Sequence, residues 1–567
     1  VIGLISATAA GAVARDRLAA AWPDRTRVYE GPVREAVRSA FAECGQLVCF
    51  LATGATVRLL APLLGDKTTD PGVVCVDEGG RFAVSLVGGH GGGANELARE
   101  VGELLGAEPV VTTATDAVGI PGLDTLGFPV EGAVAAVSRA LLDGEPVALE
   151  TEFAWPLPPL PFAAPDAARG THSVRLTDRA VEAGPHEVLL RPPSLVVGVG
   201  ASRGVPADEV IALVEGALRD AGLSAASVAH LATVDAKADE AGIVAAAEHL
   251  GVPLLTYPAG ELADVEVPNP SGAPLAAVGT PSVAEAAALL AGGELLVPKR
   301  KSERADGTPA MATCAVVRRP GRGRLAVVGL GPGARDLLTP RAEAELRGAA
   351  VLVGLDQYVD QIRDLLRPGT RVLESGLGAE EERARTAVAE ARRGQTVALI
   401  GSGDAGVYAM ASPALAEASD DIDVVGVPGV TAALAAAALL GAPLGHDHVS
   451  ISLSDLHTPW EVIERRVRAA AEADIVVTFY NPRSRGRHWQ LPKALGILAE
   501  HREGATPVGV VRNASRPDGT ARVTTLAELD PASVDMMTVV TVGNTATRLI
   551  AGRMVTPRGY RWQEETQ

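Results

Sequence analysis

LAVVGLGPGARDLLTP (residues 325–340) and VALIGSGDAGVY (residues 397–408) decide how this chain reads. Each is a run of apolar, strand-forming residues ending in a glycine-rich turn, a pattern that brings bare backbone close to a small ligand. In the first turn Gly329, Gly331 and Gly333 carry no Cβ, and Pro332 restricts the backbone. In the second, Asp404 puts a carboxylate beside Gly403 and Gly406, suited to a ligand with a cationic amino-acid end.

Taken singly, the first turn has another reading. Gly329, Gly331 and Ala334 satisfy the relaxed dinucleotide fingerprint, and Asp356 follows at the distance of a ribose-binding acid. A nicotinamide-dependent oxidoreductase is therefore an alternative. Three later segments shift the balance. VVGVPGVTAALAAAALLGAPL (424–444) is a strand, a Pro428-Gly429 turn and an Ala/Leu helix. IVVTFYNPRSRGRH (475–488) is a strand ending on aromatics, an amide and a basic cluster. VGVVRNASRPDGT (508–520) is a further strand followed by Arg512 and Asn513.

In the order GLGPG, GSGDAGVY, VPGVTA, TFYNP, VVRNAS, these motifs resemble the tetrapyrrole methyltransferase family from about Leu325 to about Thr556. The resemblance implies a two-lobed α/β fold using S-adenosylmethionine, over residues 324–556, with residues 557–567 as a tail. SLSDLHTPWEVIERR (452–466) and TFYNPRSRGR are most similar to precorrin-3B C17-methyltransferases, associated with contraction of the macrocycle. By position, Gly331, Pro332, Gly403, Asp404, Val407, Tyr408, Thr431, Ala432, Phe479, Tyr480, Arg512 and Asn513 would line the cofactor site. The substrate would be a polycarboxylate, so Arg483, Arg485, Arg487 and Arg512 are candidates to pair with its acidic groups; a solvated basic loop is the alternative for RSRGR. For the proton transfers of ring contraction the candidates are Asp455 and His457. Either also fits as a cap for the helix begun near Pro459, the preferred reading for Asp455. The family also implies a homodimer through this half.

The first half divides again. VIGLISATA, QLVCFLATGATVRLLAPLL and the stretch through GGHGGGAN alternate strand and helix, giving a first α/β domain over residues 1–150. Gly79-Gly80 reads as a hairpin turn flanked by Asp77 and Glu78, and Asn95 as N-cap of the helix that follows. The glycine amides there suit a carboxylate or phosphate, and His90 is either an acid/base or an exposed loop residue. Residues 151–194, with WPLPPLPFAAP, read as a proline-rich linker or small central domain. Order returns with LVVGVGASRG and the helix after Pro206, whose Val210, Ile211, Val214 and Leu218 share a face, opening a second α/β domain over 195–319. Ser202 and Arg203 stand at a ligand-binding turn, and Lys237 and Glu240 read as an i, i+3 ion pair.

FLATGATVRLLAP, DEGGRFAVSLVGGHGGGANELA, VGVGASRG, VDAKADEAGI and VGTPSVAEAAAL resemble the cobalt-precorrin-5A hydrolase family, which releases a two-carbon bridge as acetaldehyde. Family members often carry Cys where this chain has Ala201, so any role of that thiol is absent and a substrate-holding module is the alternative to a hydrolase. RPGRG (319–323) reads as a short, basic, flexible junction. The fold class is thus multidomain α/β, and the chain a fusion of two enzymes of corrin-ring assembly.

Composition agrees. A net charge of −18 argues against nucleic acid or an anionic membrane as partner. No apolar run approaches the ~20 residues of a membrane span, and the first residues lack the basic start of a signal peptide, so the expected location is cytoplasmic. Aromatics are only 3 %, so packing must rely on Ala, Val and Leu. Cys44, Cys49, Cys75 and Cys314 have neither zinc nor iron–sulfur spacing and read as buried thiols, and no metal site is expected. None follows Cys314, so redox chemistry in ring contraction is expected in the substrate or another protein, along the oxygen-dependent route.

Overall fold

The computed structural model describes residues 1–66, 69–113, 118–163, 172–303 and 308–559. Tail residues 560–567 and residues 164–171 of the proline-rich stretch lie outside them. The chain divides into two compact units, residues 1–321 with 367–369, and the remainder from 322 onward.

Among the described residues the first unit forms three sheets. The N-terminal one has six strands in the order Thr26–Tyr29, Ile2–Ser6, Gln46–Phe50, Gly72–Val76, Phe82–Val87, Glu108–Val110. Its hairpin closes as expected at Gly79-Gly80, and the Asp77 Oδ1 accepts the Arg81 and Phe82 amides at 2.8 and 2.7 Å. Asn95 is not the N-cap. Gly93 holds that place in a left-handed conformation, and Asn95 sits inside helix Ala94–Leu105. There its buried amide accepts from Ser85 Oγ at 2.7 Å and donates to Thr113 Oγ1 at 3.0 Å.

The boundary expected at residue 150 moves. Strands Val130–Gly132 and Val147–Thr151 pair with Glu187–Leu190 and His172–Leu176 in one four-stranded sheet. Helix Val134–Leu142 covers it through Val137, Ala140 and Leu141, so the segment read as a linker or small central domain is part of a small domain that shares a core with the residues before it. Proline content obscured this, because the pairing partners are distant in sequence.

The third sheet runs Leu254–Tyr257, Val228–Val234, Leu195–Ala201, Ala312–Arg318, Glu294–Lys301. Helix Ala207–Asp220 packs on it through Val210, Leu213, Val214, Ala217 and Leu218, with Pro206 as N-cap instead of in the first turn. Lys237 and Glu240 form the expected pair at 3.0 Å. Arg319, read as part of a flexible junction, is instead held: its Nε donates to the Pro193 carbonyl at 2.8 Å and its guanidinium stacks over Trp155. All four cysteines are buried and free.

The second unit has two lobes. The first is a parallel sheet ordered Arg371–Ser375, Val351–Leu355, Thr396–Gly401, Arg324–Gly329, Asp423–Val427. Both its faces are buried, which is why its strands read as continuous apolar runs. The second lobe is a mixed sheet ordered His448–Ser452, Val476–Tyr480, Thr538–Val542, Pro507–Arg512, Thr520–Thr525. Helices Trp460–Glu472 and Gln490–Ala499 pack on it through Ile463, Val467, Leu491 and Leu498.

Candidate active site

The parallel sheet brings the two glycine turns together. Strands Arg324–Gly329 and Thr396–Gly401 are neighbours in register, Gly329 opposite Gly401, so both turns leave adjacent strand ends on the carboxyl edge. Beyond the strands, Gly331 and Gly403 pair backbone to backbone. Both have positive φ, 74° and 68°, a conformation costly for any residue with a Cβ. The third turn joins them through Asp404, whose Oδ1 accepts the Gly406 amide at 2.8 Å and whose Oδ2 accepts the Gly429 amide at 3.0 Å. The carboxylate expected to meet a ligand's cationic end thus staples two loops.

The second lobe closes the cradle from the opposite side. Tyr480, at the end of its strand, shares a hydrogen bond of 2.5 Å with Thr431 Oγ1 and accepts the Ala433 amide at 2.8 Å, which fixes it to the start of helix Ala432–Leu440. Its ring lies 5.2 Å from that of Tyr408, whose hydroxyl donates to the Ser450 carbonyl at 2.7 Å. Asn513 donates through Nδ2 to Asp518 at 2.6 Å, which sets the orientation of its amide.

Between the lobes lies a cavity of about 190 Å³ lined by Pro332, Gly403, Val407, Tyr408, Thr431, Ala432, Tyr480 and Asn513 among others. The sequence had placed all eight at a cofactor. Tyr408, Asn481 and Asn513, each lining this cavity, have left-handed backbones with φ of 53°, 51° and 48°. Such strain is retained where the surrounding structure enforces it, and it gathers at functional sites.

Of the other four residues expected here, two stand elsewhere and two shape the loops behind the lining. Phe479 is fully buried in the second lobe's core, because strand alternation turns it away from its neighbour Tyr480. Arg512 is bound to Asp535 at 2.8 Å and Asp518 at 3.5 Å, outside the cavity lining. Gly331 and Asp404 shape the loops and do not form the wall.

The small cavity opens into a larger one of about 1370 Å³, and Tyr358, Ser402, Tyr408, Asn481 and Met536 line both. His457 and Arg487 line the larger space; Arg483, Arg485 and Asp455 do not. Arg483 donates to the Pro531 carbonyl at 3.2 Å, Arg485 is exposed, and Asp455 accepts from Gln490 Nε2 at 2.9 Å. Neither Asp455 nor His457 caps the helix, whose N-cap is Pro459 with no side-chain bond. Arg487 donates to Ser454 Oγ at 3.2 Å and Met536 Sδ at 3.1 Å, and burial pulls its pKa below the usual arginine value.

His90, Ser202 and Arg203 belong to the first unit. His90 is partly buried in the glycine loop before helix Ala94–Leu105, and Ser202 and Arg203 are exposed beyond the strand ending at Ala201. Sequence reasoning missed Tyr358, Ser402, Arg516 and residues 536–539 of the small cavity. Among the described residues, no three or more His, Cys, Asp or Glu side chains gather in a metal-binding arrangement, and no helix is long and apolar enough to cross a membrane.

The dinucleotide alternative fails on topology. Strand Thr396–Gly401 separates the first glycine turn from strand Val351–Leu355, after which Asp356 opens a helix, so that acid is not beside the turn. Helix Pro340–Gly348 also begins six residues after Ala334, too late to offer its N-terminus to a pyrophosphate.

Two lobes with a loop-lined cradle at their junction define an α/β transferase architecture, and the chain belongs to the tetrapyrrole (corrin/porphyrin) methylase family, matched over residues 324–530. Within it, the second unit is 46 % identical over 239 residues to a probable cobalt-factor III C(17)-methyltransferase of Salmonella typhimurium, covering 42 % of this chain and 99 % of that one. It is 41 % identical over 250 residues to the precorrin-3B C(17)-methyltransferase of a Sinorhizobium species, covering 42 % of this chain and 97 % of that one. The crystal structure of the methyltransferase CobJ matches with 40 % identity and a TM-score of 0.40, over 41 % of this chain and 100 % of that one. Ahead of this unit, residues 35–116 and 195–317 match the N-terminal and C-terminal domains of cobalamin synthesis G.

Proposed function

We propose that the second unit transfers a methyl group from S-adenosylmethionine to C17 of a precorrin-3B-type macrocycle, and that the first unit acts on a later, ring-contracted intermediate. The observation that carries this reading is the junction of the two cavities at Tyr408, Ser402 and Asn481, a small cradle opening on a space large enough for a macrocycle.

When bound, S-adenosylmethionine supplies an electrophilic methyl group on a sulfonium. The glycine backbone at 331 and 403 leaves room for its close approach, while Tyr480, Thr431 and Asn513 offer polar atoms around it. Tyr408 and Tyr480 form the aromatic wall beside the opening, and Arg487 meets the acidic macrocycle on the other side. Catalysis then consists mainly of alignment, because an in-line displacement gains several kcal/mol from holding its reactants in register. His457 lines the wall of the large cavity, which supports it as the candidate to move a proton during ring contraction.

In the first unit Ala201 supplies no thiol at the end of its strand, so acetaldehyde release must use other groups. The homodimer belongs to the same proposal: Leu434 and Leu439 stand exposed on helix Ala432–Leu440. So does a cytoplasmic location.

Mass spectrometry of the macrocycle after incubation with the chain and S-adenosylmethionine tests the reading. One added methyl at C17 supports it, and an unmodified product with both metal-free and cobalt-containing substrate refutes it. Acetaldehyde formation from the ring-contracted intermediate tests the first unit, and its absence makes that unit a holding module. Light scattering reads the oligomeric state.

A further inference from the structure

We propose that Arg466 is a substrate-recognition residue whose guanidinium receives a carboxylate side chain of the macrocycle in the large cavity. The inference rests on the methyltransferase reading above.

Three arginines line that cavity, Arg383, Arg466 and Arg487. Arg383 is buried and already satisfied, donating to Ser375 Oγ at 3.0 Å and the Gly376 carbonyl at 2.8 Å, with Glu380 at 3.5 Å. The cavity's acids are committed too: Glu380 faces Arg383, and Glu381 pairs with Arg385 at 3.8 Å. Arg487 is partly engaged, donating to Ser454 and Met536 while its Nε has no partner, and remains available to the macrocycle. Arg466 makes no hydrogen bond or ion pair among the described residues, although the chain carries a net charge of −18.

The helix itself explains why. Arg466 lies on Trp460–Glu472, and the residues three and four away on either side are Val462, Ile463, Ala469 and Ala470. Side chains at these spacings are its only neighbours along a helix, and none offers a carboxylate. Arg468, two residues on, takes Glu464 and Glu500 instead. Ala469, Ala470 and Ala473 line the cavity beside Arg466, so this wall is small apolar surface with one uncompensated cation. That surface suits the flat face of a macrocycle with one acidic arm.

The cation also acts near the transfer point. Burial raises the pKa of Tyr408, which borders both cavities, and the positive charge of Arg466 pulls it the other way. A carboxylate held by Arg466 would therefore fix the macrocycle close to where the cavities meet. A guanidinium is suited to this because it can grip a carboxylate with two parallel bonds.

The test compares steady-state methylation by the full chain with that of Arg466→Gln, Arg466→Lys and Arg465→Gln. Arg465 is an exposed neighbour outside the cavity lining and controls for the general field of the helix. For Arg466→Gln, the expected result is a rise of about 5- to 30-fold in KM for the macrocycle, the loss of one charge-assisted contact. S-adenosylmethionine affinity and the thermal midpoint stay at wild-type values. Arg466→Lys recovers part of the loss, and Arg465→Gln changes nothing. An unchanged KM in Arg466→Gln overturns the assignment, as does an equal rise in Arg465→Gln. If the wild-type chain itself methylates no macrocycle, the underlying reading has failed, and this one fails with it.

Discussion

Gly331 and Gly403 exchange two backbone hydrogen bonds, the Gly331 amide to the Gly403 carbonyl at 3.0 Å and the Gly403 amide to the Gly331 carbonyl at 2.7 Å. Two turns 72 residues apart in sequence thereby become a single surface. Each glycine is needed for its own φ, and the pair is needed for the cradle.

Gly331→Ala should therefore damage ligand binding and folding stability together. Its φ of 74° is unfavourable for alanine by about 1–2 kcal/mol. The added Cβ would also meet the Leu337 carbonyl oxygen at 2.7 Å. Thermal melts should show that strain as lost stability, and titration calorimetry should show S-adenosylmethionine affinity falling as the loop shifts away from the Leu337 carbonyl. Wild-type affinity in the variant would remove the cradle's assigned role.

Asp404→Ala should lower both affinity and thermal stability. Two backbone amides lose a charged acceptor, each such bond contributing roughly 1.5–3 kcal/mol. A carboxylate acting only on the ligand would lower affinity and leave the melting temperature of the free protein alone. Differential scanning calorimetry beside titration calorimetry separates the two.

Tyr480→Phe keeps the ring and removes the hydroxyl that ties Thr431 and the Ala433 amide to the second lobe. The cost should be about 1–2 kcal/mol, with a buried donor left unpaired. Reduced cofactor affinity with an unchanged circular dichroism spectrum is expected. A variant that binds like wild type would show that the tether is dispensable.

His230 makes the first unit acid-sensitive. The ring is buried without a partner for Nε2, and burial, aided by the charge of Arg319, pushes its pKa down to about 4 from 6.5. The unfolded chain takes up the proton first, so stability is complete above pH 6.5 and declines as pH falls toward 4. The loss should be on the order of 2 kcal/mol for this one group. Thermal melts of His230→Leu against wild type between pH 7.5 and 4, outside and across that window, should show a flatter pH dependence in the variant. Parallel curves would exclude the histidine as the source.

The cradle was legible in the sequence because its parts are local. A strand ending in glycines, a Pro-Gly turn before a helix and a tyrosine closing a strand each declare themselves within a dozen residues. Eight of the twelve residues placed at the cofactor line the small cavity for that reason. Phe479 was misplaced because taking a motif whole ignores the alternation that turns neighbouring strand residues to opposite faces, and Arg512 because a salt bridge to Asp535 cannot be read from a motif.

The sequence by itself determined the strands, their glycine turns and the α/β class, since these follow from apolar runs and backbone freedom. Only the tertiary structure decided which strand ends meet. Strand Thr538–Val542 runs antiparallel between Val476–Tyr480 and Pro507–Arg512, so its first residues lie at the edge where its neighbours end. That reversal carries Met536, Met537, Thr538 and Val539 into the site, though nothing in their own pattern marks them. Likewise, the insertion of Thr396–Gly401 between two earlier strands removed Asp356 from the first glycine turn. Strand order is set by which faces bury best across the whole sheet, a non-local property that no single segment carries.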